Sequence, residues 1–240
     1  MTALRSKWNK IQGFLQVQLF TVSPAERLVS VAGGFLGIFL ILLVSDAFVG
    51  TGAAALIVAS MGASAVLLFA VPHGAMSQPW PLVGGHLVSA VIGVACVKFI
   101  PSPLIAAAAA VALAIGAMHL LRCIHPPGGA TALAAVVGGD AVHALGFQFI
   151  LTPVLINVLT ILLVAVVFSF PFSWRRYPAG WARVPAAPRN RARPYADITH
   201  ADFVVALSEM DSFIDVTEQD LLRIYDLVTR AERQRASSRP

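Results

Sequence analysis

The sequence predicts an all-α, polytopic membrane helix bundle of about six spans, five full and one short and broken. Three observations predict it. Of 240 residues, 58% are hydrophobic and only 12% charged, with a mean hydropathy of +0.78, too greasy a balance for a soluble domain of this size. Between residues 28 and 171 the formally charged side chains are Asp46, Lys98, Arg122 and Asp140 alone. The apolar stretches in that interval match the length that a ~30 Å hydrocarbon core demands, and Pro- and Gly-marked turns separate them.

In chain order, residues 3–20 place Leu4, Trp8, Ile11, Leu15 and Leu19 on one helical face against Arg5, Lys7, Lys10, Gln12 and Gln16, which predicts an interfacial amphipathic helix within an N-terminal segment 1–24. Ser23-Pro24 followed by Glu26 signals a helix start, and residues 28–49 form the first span. Gly50-Thr51-Gly52 turns the chain into a second span, 53–71, rich in Ala, Gly and Ser, which let helix backbones approach closely. A proline-marked loop, 72–81, leads to a third span, 82–100, with Gly84, Gly85 and His86 near its start. Pro101-Ser102-Pro103 turns into the fourth span, 104–121; a short Ala/Gly segment, 126–137, is the fifth, and 147–170 the sixth. The transmembrane domain is thus expected over 25–172. A Pro/Arg-rich linker follows over 173–198, then a helical tail over 199–240 in which Thr217-Glu218-Gln219-Asp220 opens a helix bearing Leu221, Ile224, Tyr225 and Val228.

The net charge is +5, and its basic residues flank the first and last spans. They read as orientation signals that put both termini in the cytoplasm, as expected of a multi-pass protein of the cell inner membrane, and not as a nucleic-acid surface. Cys96 and Cys123 lack metal-ligand spacing, so no metal or cofactor is expected. No nucleophile-base spacing appears, which argues against an enzyme. The scarcity of intramembrane carboxylates disfavours cation transport and a carboxylate proton relay.

The stretch around which the rest is organised runs from His119 to Gly139. Pro126 and Pro127 forbid continuation of the preceding helix and suit the first positions of the next. A broken helix in a bilayer is tolerated where it is buried in protein or lines a watery cavity, and a helix N-terminus attracts anions. Free N–H groups are expected near Gly128, Gly129 and Ala130. Arg122 faces either a cavity or the headgroups, where it offsets a helix dipole. His125 serves either as a donor to an anion, with or without a proton, or as a turn hydrogen bond. His86 and His119 are either ligands or interhelical hydrogen-bond partners, Ser64 and Thr131 either pore hydroxyls or groups bonded to their own helices, and Asn157 either a pore donor or a helix contact. Gly62-Ala63-Ser64-Ala65-Val66 also parallels Gly129-Ala130-Thr131-Ala132-Leu133, which suggests a 3+3 inverted repeat of the kind secondary transporters use.

His125-Pro126-Pro127-Gly128-Gly129-Ala130-Thr131-Ala132-Leu133 resembles the HPP family of integral membrane proteins. Met61 to Phe69, Gln78-Pro79 and Gly84-Gly85-His86 are similar to further blocks of that family in the same order, and the likeness spans residues 25–172. Where relatives often carry a basic residue after Gln-Pro, this chain has Trp80. What the resemblance implies is anion transport with nitrite as the leading substrate. The expected function is therefore a carrier or channel for a small inorganic anion, held by Arg122, His125, Pro126, Pro127, Gly128, Gly129 and Thr131 with Ser64, His86, His119 and Asn157. The expected partners are that anion, the lipid bilayer and a second copy in a homodimer. The alternative is a membrane-embedded sensor or scaffold whose tail recruits partners, which deletion of residues 195–240 would disable while sparing a transporter.

Overall fold

Proline sets the start of most of the helices. In the computed structural model, which describes residues 22–49 and 51–181, α1 spans Pro24–Val49 and α2 Thr51–Ala70. α3 spans Pro79–Phe99, α4 Pro103–Leu120 and α5 Pro126–Val137, and each opens on a proline whose absent N–H would have had no intrahelical partner. The third helix therefore begins at Pro79, within the stretch expected to be loop. At the head of α1 the Ser23 hydroxyl accepts the Glu26 N–H at 3.1 Å, the cap that Ser23-Pro24 predicted. Among the described residues four helices are long and apolar enough to cross a bilayer, and the bent pair of α5 and α6 (Gly139–Leu145) makes a fifth if its two pieces count as one span. Of α2, 20 residues long, the stretch Val58–Ala70 counts as a shorter apolar helix. The amphipathic helix within 1–24, most of the 173–198 linker and the 199–240 tail lie outside the described residues.

Contacts at either end order the chain. Trp80 Nε1 donates to the Leu121 carbonyl at 3.1 Å, so the start of α3 lies beside the end of α4. At the far end the Lys98 ammonium sits 5.0 Å over the Phe147 ring, so the chain has traversed the body between Pro126 and Phe147. It does so through two pieces bent by 101° at Gly138 and Gly139, the latter at φ +72°. The return leg is broken as well. A π-helical turn, Ile150–Leu155, precedes α7 (Ile156–Ser169), with Thr152 in extended geometry ahead of Pro153. A sixth span expected to run unbroken is thus interrupted, because Pro153 offers no N–H to the preceding turn and biases Thr152 away from the helix.

The helices pack on small residues, with α3, α4 and α5 in mutual contact and α1 against α2 and α7. A Cβ added at Gly93 of α3 would stand 2.6 Å from the Ala132 carbonyl oxygen, and one at Gly128 of α5 would stand 2.7 Å from that of Gly85. The two backbones therefore meet along a seam of Gly85, Ser89 and Gly93 against Gly128, Ala132 and Ala135. Because the obstacle at Gly93 is backbone, Gly93→Ala is expected to cost about 1–3 kcal/mol through overpacking, read as a lower unfolding temperature in detergent; unchanged stability would refute the close approach. On the other flank, Asn157 and Ser45 exchange hydrogen bonds of 2.9 and 3.1 Å and tie α7 to α1. Asn157 is thus a helix contact and shares no hydrogen bond with His125.

The segment after α7 folds back over the end where α1 begins and α2 stops. Arg175 is buried and pairs with Glu26, donates to the Phe69 carbonyl, and reaches Ser30 Oγ at 3.2 Å. Trp174 Nε1 donates to the other Glu26 oxygen at 3.0 Å. Burial draws the Arg175 pKa down from its ordinary value, and the Glu26 carboxylate opposes that shift. The Tyr177 hydroxyl donates to the Ser77 carbonyl at 2.8 Å and the Ala179 N–H to Gln78 Oε1 at 3.0 Å, so residues 173–181 form a strap across the loop between α2 and α3.

Candidate functional site

The turn before α5 determines what the helix break can do. α4 ends in a Schellman closure: Cys123 N–H donates to the Met118 carbonyl at 2.9 Å and Arg122 N–H to that of His119 at 3.2 Å. Arg122 holds the left-handed position at φ +54°, where glycine is usual, and its side chain is exposed. The chain then turns inward and His125, extended at the N-cap of α5, is wholly buried. The two prolines remove two of the donors that a helix N-terminus leaves bare, and Gly128 N–H is spent on the His125 carbonyl at 2.8 Å. The free amide at Gly128 expected from the sequence is absent for that reason. The break offers side chains in place of backbone donors.

Those side chains converge. His125 Nδ1 lies 2.8 Å from the Met76 carbonyl oxygen and its Nε2 lies 2.9 Å from Ser64 Oγ of α2. Ser64 Oγ is also 2.8 Å from His86 Nε2 of α3 and 3.2 Å from the Ser60 carbonyl oxygen. His86 Nδ1 lies 2.7 Å from Thr131 Oγ1 of α5, which contacts Ser60 Oγ at 3.1 Å and the Pro127 carbonyl oxygen at 3.4 Å. The two rings stand edge to face, 4.9 Å between centroids. All five side chains are at most 1% exposed. Among the described residues no carboxylate, lysine or arginine bonds either ring, and no group of three or more His, Cys, Asp or Glu could hold a metal ion.

Of the residues singled out from the sequence, Ser64, His86, His125 and Thr131 therefore meet in one hydrogen-bonded cluster, and Pro127 and Gly128 pack beneath it. Gly85 lets the cluster close, since a Cβ there would come within 2.6 Å of His125 Cβ. Pro126, Gly129 and His119 are elsewhere. They line an apolar groove of about 510 Å³ between α4 and α5, with Val111, Ile115 and Leu133, whose chemistry suits hydrocarbon better than an ion. Two members were not foreseen. Ser60 precedes Ser64 by one helical turn and so shares its face, a signal present in the sequence; the Met76 carbonyl is backbone in a loop and leaves none. Trp80 also has a role, because its bond to Leu121 holds the turn that delivers His125.

The family model described as HPP, transmembrane region, matches residues 20–178 of the chain. Two transmembrane proteins of Dictyostelium discoideum are similar to it: one is 44% identical over 126 residues, covering 51% of this chain and 40% of its own length. The other is 41% identical over 129 residues, covering 52% of this chain and 45% of its own. The chain spans less than half the length of either relative. No solved structure matches it.

Proposed function

The chain belongs to the HPP transmembrane family, and from that premise we propose that it moves a small inorganic anion, nitrite foremost, across the bilayer past the histidine–hydroxyl cluster. One observation carries the reading. Two imidazoles and three hydroxyls, bonded chiefly to one another, are buried where α2, α3 and α5 meet beside a broken span. Apolar side chains would pack the same space without burying polar atoms, and polar groups inside a membrane mark solute pathways. The cluster contains no carboxylate to repel an anion, and its hydroxyls and ring N–H groups are donors suited to a compact monovalent oxyanion. Ser64 and Thr131, the hydroxyls of the suggested inverted repeat, approach His86 from opposite sides, which fits a site between two halves.

In the described conformation the cluster is closed to solvent, so on this reading the helices around it part to admit the anion. Arg122, exposed at the end of the protein where His125 enters, belongs to the mouth and draws anions toward it. A non-glycine residue in the left-handed region costs roughly 1–2 kcal/mol, a strain consistent with a residue kept for its charge.

The test is nitrite uptake into proteoliposomes. His125→Ala removes a bond to the bound anion, about 1.5–3 kcal/mol, and is expected to lower uptake about ten- to hundredfold with insertion unchanged. Arg122→Gly is expected to raise stability by about 1 kcal/mol while raising the half-saturating nitrite concentration and leaving the maximal rate alone. Uptake by the unaltered protein no faster than in empty liposomes would end the reading. Loss of all uptake on deleting residues 195–240 would favour the sensor or scaffold instead.

A further inference from the structure

The hydrogen bonds of the cluster have a direction, and the direction leaves room for one more proton. A carbonyl oxygen only accepts, so His125 Nδ1, facing Met76, carries a hydrogen, and a neutral His125 has a bare Nε2. Ser64 has one hydroxyl hydrogen and stands within 2.9 Å of the Nε2 atoms of both rings. It cannot donate to both. The neutral cluster is satisfied when Ser64 donates to His125 Nε2, His86 Nε2–H donates to Ser64 Oγ, and Thr131 donates to His86 Nδ1. The two histidines are then opposite tautomers.

A proton added at His125 Nε2 needs no heavy atom to move. Both Nε2–H groups donate to the two lone pairs of Ser64 Oγ, and the Ser64 hydrogen turns to the Ser60 carbonyl at 3.2 Å. Every donor still has an acceptor, and the cluster now carries one positive charge on His125. A second proton would set two cations on rings 4.9 Å apart in a medium of low dielectric, which closes the capacity at one.

We propose that the His86–Ser64–His125 triad is a one-proton store that loads together with the anion, so that each cycle moves one proton and one monovalent anion in the same direction without net charge. This rests on the anion reading above. The coupling follows from what surrounds the triad. α2 contributes Ser60 and Ser64, α5 contributes Thr131, and Ser89 of α3 turns to Met118. In the loop above, His73 faces the Arg176 carbonyl; Cys123 packs on Gly84; Arg122 and His119 are exposed; Lys98 lies over Phe147 at the far end. No described carboxylate neutralises a protonated triad, so the charge is stable in the membrane only beside an anion, and the anion only beside the charge. The proton leaves His125 Nε2 when the anion leaves, Ser64 swings back, and no bond within the anion forms or breaks.

The experiment uses the full chain in liposomes holding a trapped pH dye, with membrane potential clamped by potassium and valinomycin and protein-free liposomes as baseline. Nitrite added outside at neutral pH is expected to enter with protein-dependent acidification of the lumen, one proton per nitrite, at a rate that an imposed potential does not alter. Nitrite entry without acidification, slowed by an inside-negative potential, overturns the symport and leaves the anion reading standing. Protein-dependent proton flux without nitrite entry overturns both. Ser64→Thr, which keeps the hydroxyl, is expected to retain the one-to-one ratio, whereas Ser64→Ala is expected to lower nitrite entry and acidification together at least fivefold; nitrite entry that continues in Ser64→Ala while acidification stops would overturn the pairing of proton and anion. Nitrogen-15 spectra of the unaltered protein in bilayers give an independent reading: one buried histidine protonated at Nδ1 and the other at Nε2 near neutral pH. The same tautomer at both rings would overturn the proton store whatever the flux.

Discussion

His86→Ala is expected to reduce nitrite uptake to the level of protein-free liposomes, the largest functional loss of any single substitution in the chain. His86 joins the two halves of the cluster, with one ring nitrogen on Ser64 and the other on Thr131. Its removal severs the link between Ser64 and Thr131, which fall back on Ser60, His125 and the Pro127 carbonyl, and opens a void where α2, α3 and α5 meet. His86→Gln keeps a donor and an acceptor on a flexible stem and should recover insertion but little uptake, which separates loss of the site from loss of the fold. The contrast is His119→Ala. That ring is exposed beside the apolar groove, so the variant should transport as the unaltered protein does. If His86→Ala kept even a tenth of the uptake, or His119→Ala lost it, the cluster would not be the route.

The largest expected loss of stability is at the other buried polar centre. Glu26→Ala leaves the Arg175 guanidinium buried against the Phe69 carbonyl with no counter-charge, and breaking a buried pair in this way costs about 3–5 kcal/mol. For a chain of this size that corresponds to a fall of about 10 °C in the unfolding temperature in detergent. The same change frees Trp174 and loosens the strap, so the loop bearing Met76 should lose order with it. Replacing both partners by leucine removes the orphaned charge and should restore much of the loss, whereas Arg175→Leu alone leaves Glu26 buried and should resemble Glu26→Ala. Stability equal to that of the unaltered protein in all three variants would show that the pair contributes nothing.

Much of this architecture is legible in the sequence because hydrocarbon imposes length and proline imposes breaks. The apolar stretches, the Ser23 cap and the His-Pro-Pro discontinuity all follow from local chemistry. Pro153 was legible too, yet the apolar run on either side of it reads as one span, since hydropathy averages over a single proline. The partners of the site were not legible. Ser64, His86, His125 and Thr131 each stand out singly as polar residues in apolar surroundings, but which of them touch depends on how α2, α3 and α5 rotate against one another, and periodicity in such uniformly apolar helices carries no face. Glu26 and Arg175 illustrate the same limit. Each reads as a terminal signal, a first-turn acid and a flanking base, and their pairing across 149 positions is a property of the folded body alone.

α5 rises only about 18 Å over its 12 residues, little more than half of a ~30 Å hydrocarbon layer, before α6 veers off at 101°. α5 is therefore too short to cross such a layer by itself, and any crossing there needs the turn at Gly138 and Gly139 and the α6 piece beyond it. The cluster, held at the proline-opened end of this short rod and near the start of α3, sits closer to one end of the bundle than to the other, and that asymmetry is built into where the helix begins.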